Sequence, residues 1–155
     1  MTDLWKAKRE TVKNKIWKPF RLFILRRDGF RCVQCGRGKD DGVILQGGHL
    51  FSGHHDSTMF DEDAVHCQCK RCNHDHNDNP WPYWNWYIQK FGRDPFHELK
   101  RKHHNNAILS RADLVELYEH YKNLDKEYLL LDRLAGVKPK MRENNDGKST
   151  DRNRK

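Results

Sequence analysis

Apolar positions near the start of the chain recur at helical spacing. Trp17, Phe20, Phe23 and Ile24 fall on one side of a helix predicted over residues 4–28, with Pro19 in a first turn and Asp28-Gly29 as the stop. The period then breaks. Phe30 to Gly36 reads as a short strand running into a tight cysteine turn, with Gly36 and Gly38 following Cys35. Val43 to Phe51, with Val43-Ile44-Leu45 at its front, reads as a strand or hairpin arm, and residues 52–63 as a polar loop. Past Cys72 the helical period returns: Trp84, Tyr87, Ile88 and Phe91 share a face, and Gly92 ends it. A short helix is expected over about 94–104. Another starts at Ser110, where Asp113 completes a variant of the capping box, and runs to about Ala135. Beyond Gly136 the apolar pattern is lost and a disordered basic tail is expected.

Composition sharpens this picture. The 155 residues suffice for one modest core, but only 35% are hydrophobic, so the core needs help. The formal charge of +8 favours a polyanionic partner, of which nucleic acid is the commonest. Residues 1–40 carry 12 Lys/Arg against 4 Asp/Glu, residues 41–69 carry 5 acidic residues and no Lys or Arg, and residues 70–104 carry 7 basic against 4 acidic. An acidic island between basic flanks suits either a cation site in a phosphate-binding surface or an ordinary solvated loop. No stretch approaches the ~18 apolar residues of a membrane span, and the charged start lacks a signal-peptide core. A cytoplasmic protein is expected, in the bacterial host if it is phage-encoded.

In a reducing compartment, cysteines in pairs read as metal ligands before disulfides. Cys32 and Cys35 form one CxxC, Cys69 and Cys72 another, with 33 residues between. Two such turns close a tetrahedral thiolate shell, so one structural zinc is expected. It would also support folding of a small core. A redox pair or free buried thiols are the alternatives. Cys67 is a rival thiol, but the spacing of Cys69 and Cys72 fits a knuckle better.

Gly48-His49 lies between the pairs and Asn73 directly follows the second. Phosphodiester hydrolysis needs an activated water and a cation; a histidine suits the base, and an amide oxygen suits Mg²⁺. His54, His55, His74 and His76 are weaker candidates for metal or phosphate, and His66 is expected to support the knuckle. Arg26, Arg27, Arg31, Lys70 and Arg71 flank the site in sequence and are expected to contact phosphates. Of the aromatic cluster Trp81, Trp84, Trp86 and Tyr87, Trp86 falls off the core face and is the better candidate for stacking on unpaired bases.

Here the chain resembles a family. Phe30-Arg31-Cys32-Val33-Gln34-Cys35-Gly36, Gly48-His49, Phe60-Asp61-Glu62-Asp63 and Val65-His66-Cys67-Gln68-Cys69-Lys70-Arg71-Cys72-Asn73 look like the phage NinG (Rap) recombination proteins. Trp17-Lys18-Pro19-Phe20 through Arg27-Asp28 upstream, and Tyr87 to Gly92 downstream, fit as well. The resemblance covers roughly residues 15–130. It implies an HNH/treble-clef nuclease of the ββα-metal type, more distantly similar to phage endonuclease VII, that cuts branched recombination intermediates. It implies His49 as general base, Asn73 as ligand of a catalytic Mg²⁺ or Mn²⁺, and Asn79, a family asparagine further on, as a candidate for the same metal. Three features depart from the HNH or family pattern, one of them His76-Asn77-Asp78 in place of the family's small-residue turn before Asn79. Gly48 stands where many HNH sites have an acidic residue or histidine, which leaves the second ligand to another residue or to water. Ala64 stands at the central asparagine, which normally fixes the loop behind the base; Asp61 or Asp63 is a candidate to compensate or to bind the metal.

The expected architecture is therefore α+β: a basic helical segment (1–28), a zinc-bound HNH-like core (29–92), C-terminal helices (93–135) and a tail (136–155). The functions in competition are a structure-selective endonuclease for branched DNA, a less selective HNH nickase, and a non-catalytic zinc module that binds nucleic acid. Leu114, Leu117, Tyr121, Leu124, Tyr128 and Leu131 recur in steps of three and four. That stripe is either a homodimer interface within residues 110–132 or a face packed on the chain's own core.

Overall fold

Val12, Ile16, Phe20 and Ile24 step by four along one helix and are all fully buried. They form the spine of α1 (Arg9–Arg27) in the computed structural model, which describes residues 3–53 and 55–136. The elements that follow are β1 (Leu45–His49), α2 (Asp56–Met59), β2 (Val65–Cys69), α3 (Lys70–Asp78), α4 (Trp81–Phe91), α5 (Arg93–Asn105) and α6 (Arg111–Leu134). The class is α+β, mostly helical with a two-stranded sheet. The strands are antiparallel, in a register that sets Gln46 opposite Gln68, Gly48 opposite His66 and His49 opposite Val65. α1 crosses the sheet on one side and packs most extensively against α6. One hydrophobic core runs from Leu4 through Phe20, Leu50, Val65, Tyr83 and Phe96 to Tyr121.

Several local expectations change. Pro19 lies in the interior of α1 and not in a first turn. Proline there deprives the carbonyl four residues back of its partner, at about 3 kcal/mol in an exposed helix. The buried stripe on both sides of it keeps the helix continuous. Phe30 to Gly36 forms no strand, only the bridge Arg31 to Gly38, because the chain turns at once into the first cysteine knuckle. The loop after Phe51 contains one helical turn, α2. The helix after the second cysteine pair is two helices broken at Asn79-Pro80: α3 starts before Cys72, and α4 buries Tyr83 as well as Tyr87. Ser110 and Asp113 do form the expected reciprocal cap, Asp113 N–H to Ser110 Oγ at 3.1 Å and Ser110 N–H to Asp113 Oδ2 at 2.6 Å.

The stripe on α6 divides. Leu114 and Tyr121 are buried in the core, with Leu117 and Leu124 packed beside them, whereas Leu130, Leu131 and Leu134 at the helix end are exposed. The residues expected to form a tail from 137 onward, and His54, lie outside the described residues. Among the described residues no helix is long and apolar enough to cross a membrane.

Candidate functional site

The two CxxC turns come together. The Sγ atoms of Cys32, Cys35, Cys69 and Cys72 all lie within 4.8 Å of one another. Gly36, with φ of 73°, takes the left-handed conformation that closes the first turn, where its N–H bonds to the Cys32 carbonyl at 2.8 Å. The second knuckle straddles the junction of β2 and α3: Cys69 ends the strand, and its sulfur accepts the Cys72 N–H at 3.5 Å. Zn–S bonds of about 2.3 Å at tetrahedral angles place sulfurs about 3.8 Å apart. Cys35 and Cys69 stand at 3.8 Å, so the donor set fits zinc.

Burial and neighbouring groups act unequally on these thiols. Burial, then the Cys69 and Cys32 groups, push the Cys72 thiol far up. Burial also pushes Cys35 up, but hydrogen bonds from the Arg37 backbone and side chain, with those of Cys32 and Cys69, bring it down to about 6. Cys67 stands outside this cluster. It is fully buried, its N–H is held by Asp28 Oδ2 at 2.7 Å, and burial pushes its thiol up to about 12.

His49 ends β1. Its ring stacks on Trp17 of α1 (centroids 5.2 Å, planes 14° apart), and Nε2 lies 3.1 Å from the Met59 carbonyl, to which it donates. The loop carrying that carbonyl is tied down at several points. Asp61 accepts the Ala64 N–H on its carbonyl at 3.0 Å and the Asp63 N–H on its carboxylate at 2.8 Å, and the Arg27 guanidinium reaches the Glu62 and Val65 carbonyls. Lys102 also pairs with Asp61. These contacts hold the loop at the position where Ala64, itself buried, offers no side-chain bond.

Gly48 faces the other way, toward α3. Its carbonyl accepts the Tyr83 hydroxyl at 2.9 Å. Because that proton is committed, Nδ1–H of His66 must donate to the Tyr83 oxygen, also at 2.9 Å. His66 is walled in by Tyr83, Trp86, Tyr87 and Phe91, and burial, then the Arg27 charge, press its pKa down to about 3. Asn73, in the first turns of α3, donates Nδ2–H to Gln46 Oε1 at 2.9 Å. Gln68 donates Nε2–H to Gln34 Oε1, while its own Oε1 is buried without a hydrogen-bond partner. A Cβ built on Gly48 would lie 1.6 Å from that oxygen and 3.0 Å from Asn73 Oδ1. His49 reaches Met59 and Asn73 reaches Gln46, so the two flank the strand end from its two faces.

The other candidates sort by what they touch. Asn79 caps the end of α3 and accepts the Trp81 N–H at 3.2 Å, which commits its oxygen to the turn into α4. Asp61 is engaged by Lys102 as above, Asp63 is exposed, and among the described residues only the four cysteines form a His/Cys/Asp/Glu cluster fit for a metal. Asp56 pairs with Arg9 and Lys13 of α1, so the acidic island serves largely as an anchor for helices. His55 stacks on His103 at 4.0 Å and donates Nδ1–H to its carbonyl. His76 is buried against Tyr83, its pKa lowered by that burial, and His74 is exposed.

Among the arginines expected on phosphates, Arg26 and Arg27 are turned inward. Arg26 pairs with Asp132 and lies over the Tyr128 ring, and Arg27 is spent on Asp28 and two carbonyls. Arg31, Lys70 and Arg71 are exposed. Lys70 and Arg71 join Arg37 and His74 around a groove of about 480 Å³ beside Cys69. Trp86 is packed on His66 and Tyr83, and it is Trp81 that stands 59% exposed. Sequence reading missed Gln34, Gln46, Gln68, Tyr83 and Arg37. Only Gln46 and Gln68, opposite each other two positions along the ladder from the Gly48–His66 pair, carried a signal, and it needs the strand register to be seen.

No curated protein and no solved structure matches the chain. A family model described as Bacteriophage Lambda NinG protein matches residues 4–129, a span that holds both cysteine pairs, Gly48, His49 and Asn73. The chain belongs to the bacteriophage lambda NinG family.

Proposed function

We propose that the chain is a zinc-stapled, Mg²⁺- or Mn²⁺-dependent DNA endonuclease of the HNH type, acting on branched recombination intermediates such as Holliday junctions or D-loops. Its family is phage-encoded and recombination-related. The observation that carries the reading is the end of β1. There His49 is held by ring stacking and a carbonyl, and its neighbour Gly48 lies under the Asn73 oxygen. A zinc protein that only bound DNA has no use for either arrangement. The order β1, β2, α3 is also the strand–strand–helix order of such nucleases.

With Nε2–H given to Met59, Nδ1 is the basic nitrogen of neutral His49 and takes the proton of the attacking water. Trp17 fixes the plane of the ring. The Asn73 oxygen is a hard, neutral donor suited to Mg²⁺ or Mn²⁺. A cation held there would offset charge on the phosphoryl oxygens and on the leaving 3′ oxygen. The groove of Arg37, Lys70 and Arg71 binds backbone phosphates, and exposed Trp81 stacks on an unpaired base of the kind a branch supplies. Paired cuts require two copies of the site, and α6 leaves its last turns, Leu130, Leu131 and Leu134, exposed for a homodimer contact.

The test is cleavage of labelled four-way junction, flap and linear duplex with Mg²⁺ or with EDTA. Junction cleavage that needs Mg²⁺ and disappears in His49→Ala, with DNA affinity kept, is expected. One observation favours a second reading, a non-catalytic zinc module: among the described residues the four cysteines alone form a His/Cys/Asp/Glu cluster fit for a metal, and none forms beside Asn73. Tight junction binding with no cleavage in any divalent metal would select it.

A further inference from the structure

Two amide oxygens meet over Gly48, and each is aimed there by its own nitrogen. A carboxamide is planar, so fixing the nitrogen fixes the oxygen. Gln68 Nε2 is fixed by Gln34 Oε1, and Asn73 Nδ2 by Gln46 Oε1. Gln68 is 0% exposed and its Oε1 accepts no hydrogen bond. Asn73 Oδ1 also takes none among the described residues. Both oxygens border the space a side chain at position 48 would enter, 1.6 Å and 3.0 Å from its Cβ. The buried Gln68 oxygen has lost its solvation with no hydrogen bond in return, and two carbonyl oxygens facing one space repel each other. A cation between them, or a water, resolves both costs.

We propose that Gln68 is a second protein ligand of the divalent cation, beside Asn73, and that position 48 is glycine because the Gln68 carbonyl enters the site where a side chain would stand. This deepens the nuclease reading and rests on it for what the cation does. Gly48 has no positive φ to require glycine, so close approach is the reason for it. Two hard amide oxygens select Mg²⁺ or Mn²⁺ over the soft-metal chemistry of the four thiols. They bring no negative charge. The cation therefore binds weakly to the free protein, and substrate phosphates supply the missing charge. Metal and DNA then raise each other's affinity by the same factor.

The experiment is a titration of zinc-loaded, ¹⁵N-labelled full chain with MnCl₂, read by paramagnetic broadening. The side-chain NH₂ signals of Gln68 and Asn73 should broaden first, with half-saturation in the millimolar range. Gln68→Glu keeps the shape and adds a charge, and should tighten Mn²⁺ by about tenfold or more, whereas Gln68→Met should weaken it. A junction added to His49→Ala protein should tighten it as well. Broadening centred on surface carboxylates with the Gln68 signal untouched overturns the proposal and leaves a bridging water over Gly48. So does unchanged Mn²⁺ affinity in a folded, zinc-loaded Gln68→Glu protein. If that variant does not fold, the wild-type broadening decides. The readout is binding, so the two readings fail separately: Mn²⁺ on Gln68 without cleavage sinks only the nuclease, and cleavage with Mn²⁺ elsewhere sinks only Gln68.

Discussion

Replacing Gly48 with alanine adds a single carbon, and the structure makes it a costly one. The new Cβ would stand 1.6 Å from Gln68 Oε1 and 2.6 Å from Gln68 Cδ. The glutamine cannot swing away freely, because it is fully buried and its nitrogen is held by Gln34. Overpacking of this kind costs about 1–3 kcal/mol, and the displaced amide bond adds about 1 kcal/mol. The strand backbone itself accepts alanine and returns about 0.5 kcal/mol. A net loss of about 1.5–3.5 kcal/mol follows. If the clash with Gln68 is the cause, removing Gln68 removes the penalty: in a Gln68→Ala background, Gly48→Ala should cost less than about 0.5 kcal/mol. Urea unfolding followed by far-UV circular dichroism reads all four corners of the cycle, with zinc held saturating so that its release does not differ between variants. Coupling below about 0.5 kcal/mol would mean that Gly48 and Gln68 do not share the space described here, and the account of the glycine would fail with it.

Three further outcomes are expected. Elemental analysis should find one zinc per chain; Cys72→Ser should lose it with much of the secondary structure, and Cys67→Ala should keep it, so zinc loss in Cys67→Ala would contradict the ligand set. His66 has its pKa lowered from 6.5 to about 3, so its contribution to stability is full above pH 6.5 and is lost as pH falls toward 3, at about 1.4 kcal/mol per pH unit. His66→Gln should flatten that part of the stability–pH curve, and an unchanged slope would argue against a buried neutral imidazole. Arg71→Ala should weaken DNA binding alike across substrates and reduce the salt slope by about one, whereas Arg27→Ala should lower stability without changing the slope; the reverse pattern would invert the assignment of the two arginines.

What the sequence made legible was what local spacing carries. The helical periods placed α1, α4, α5 and α6, and the two CxxC pairs named the four sulfurs that the fold brings together. Contacts that depend on tertiary register were not legible. Arg27 reads as a free surface cation until the loop around Glu62 folds back over the end of α1 and takes its guanidinium. The stripe on α6 has one pattern but two fates, decided by where α1 ends beneath it. Gln68 lies between two cysteines in sequence and resembles a spacer. It reaches Gly48 only because it pairs opposite Gln46, and a one-residue slip of the sheet would send it to the other face.

The same register explains how so small a sheet can hold a site. Among the described residues the sheet is β1 and β2 alone, and an isolated two-stranded unit is marginal in water. Here each end of the pair is tied to something outside it. At one end β2 runs straight into the cysteine knuckle, where a bound zinc would fasten it to the first CxxC turn. At the other end Leu50 donates to the Ala64 carbonyl, and the loop carrying Met59 is held by Asp61 and Arg27. Between them, Tyr83 takes the His66 proton on its oxygen and passes its own to Gly48, which clamps the middle of both strands to α4. Each tie is polar or metal-based, as a chain poor in apolar residues requires. Removing the Tyr83 hydroxyl would therefore do more than cost the roughly 1–3 kcal/mol of two buried bonds. It would release Gly48 at the point where the two amide oxygens converge, so Tyr83→Phe should weaken Mn²⁺ binding in protein that still holds its zinc. A variant that loses stability but keeps wild-type Mn²⁺ affinity would show the clamp to be structural support alone.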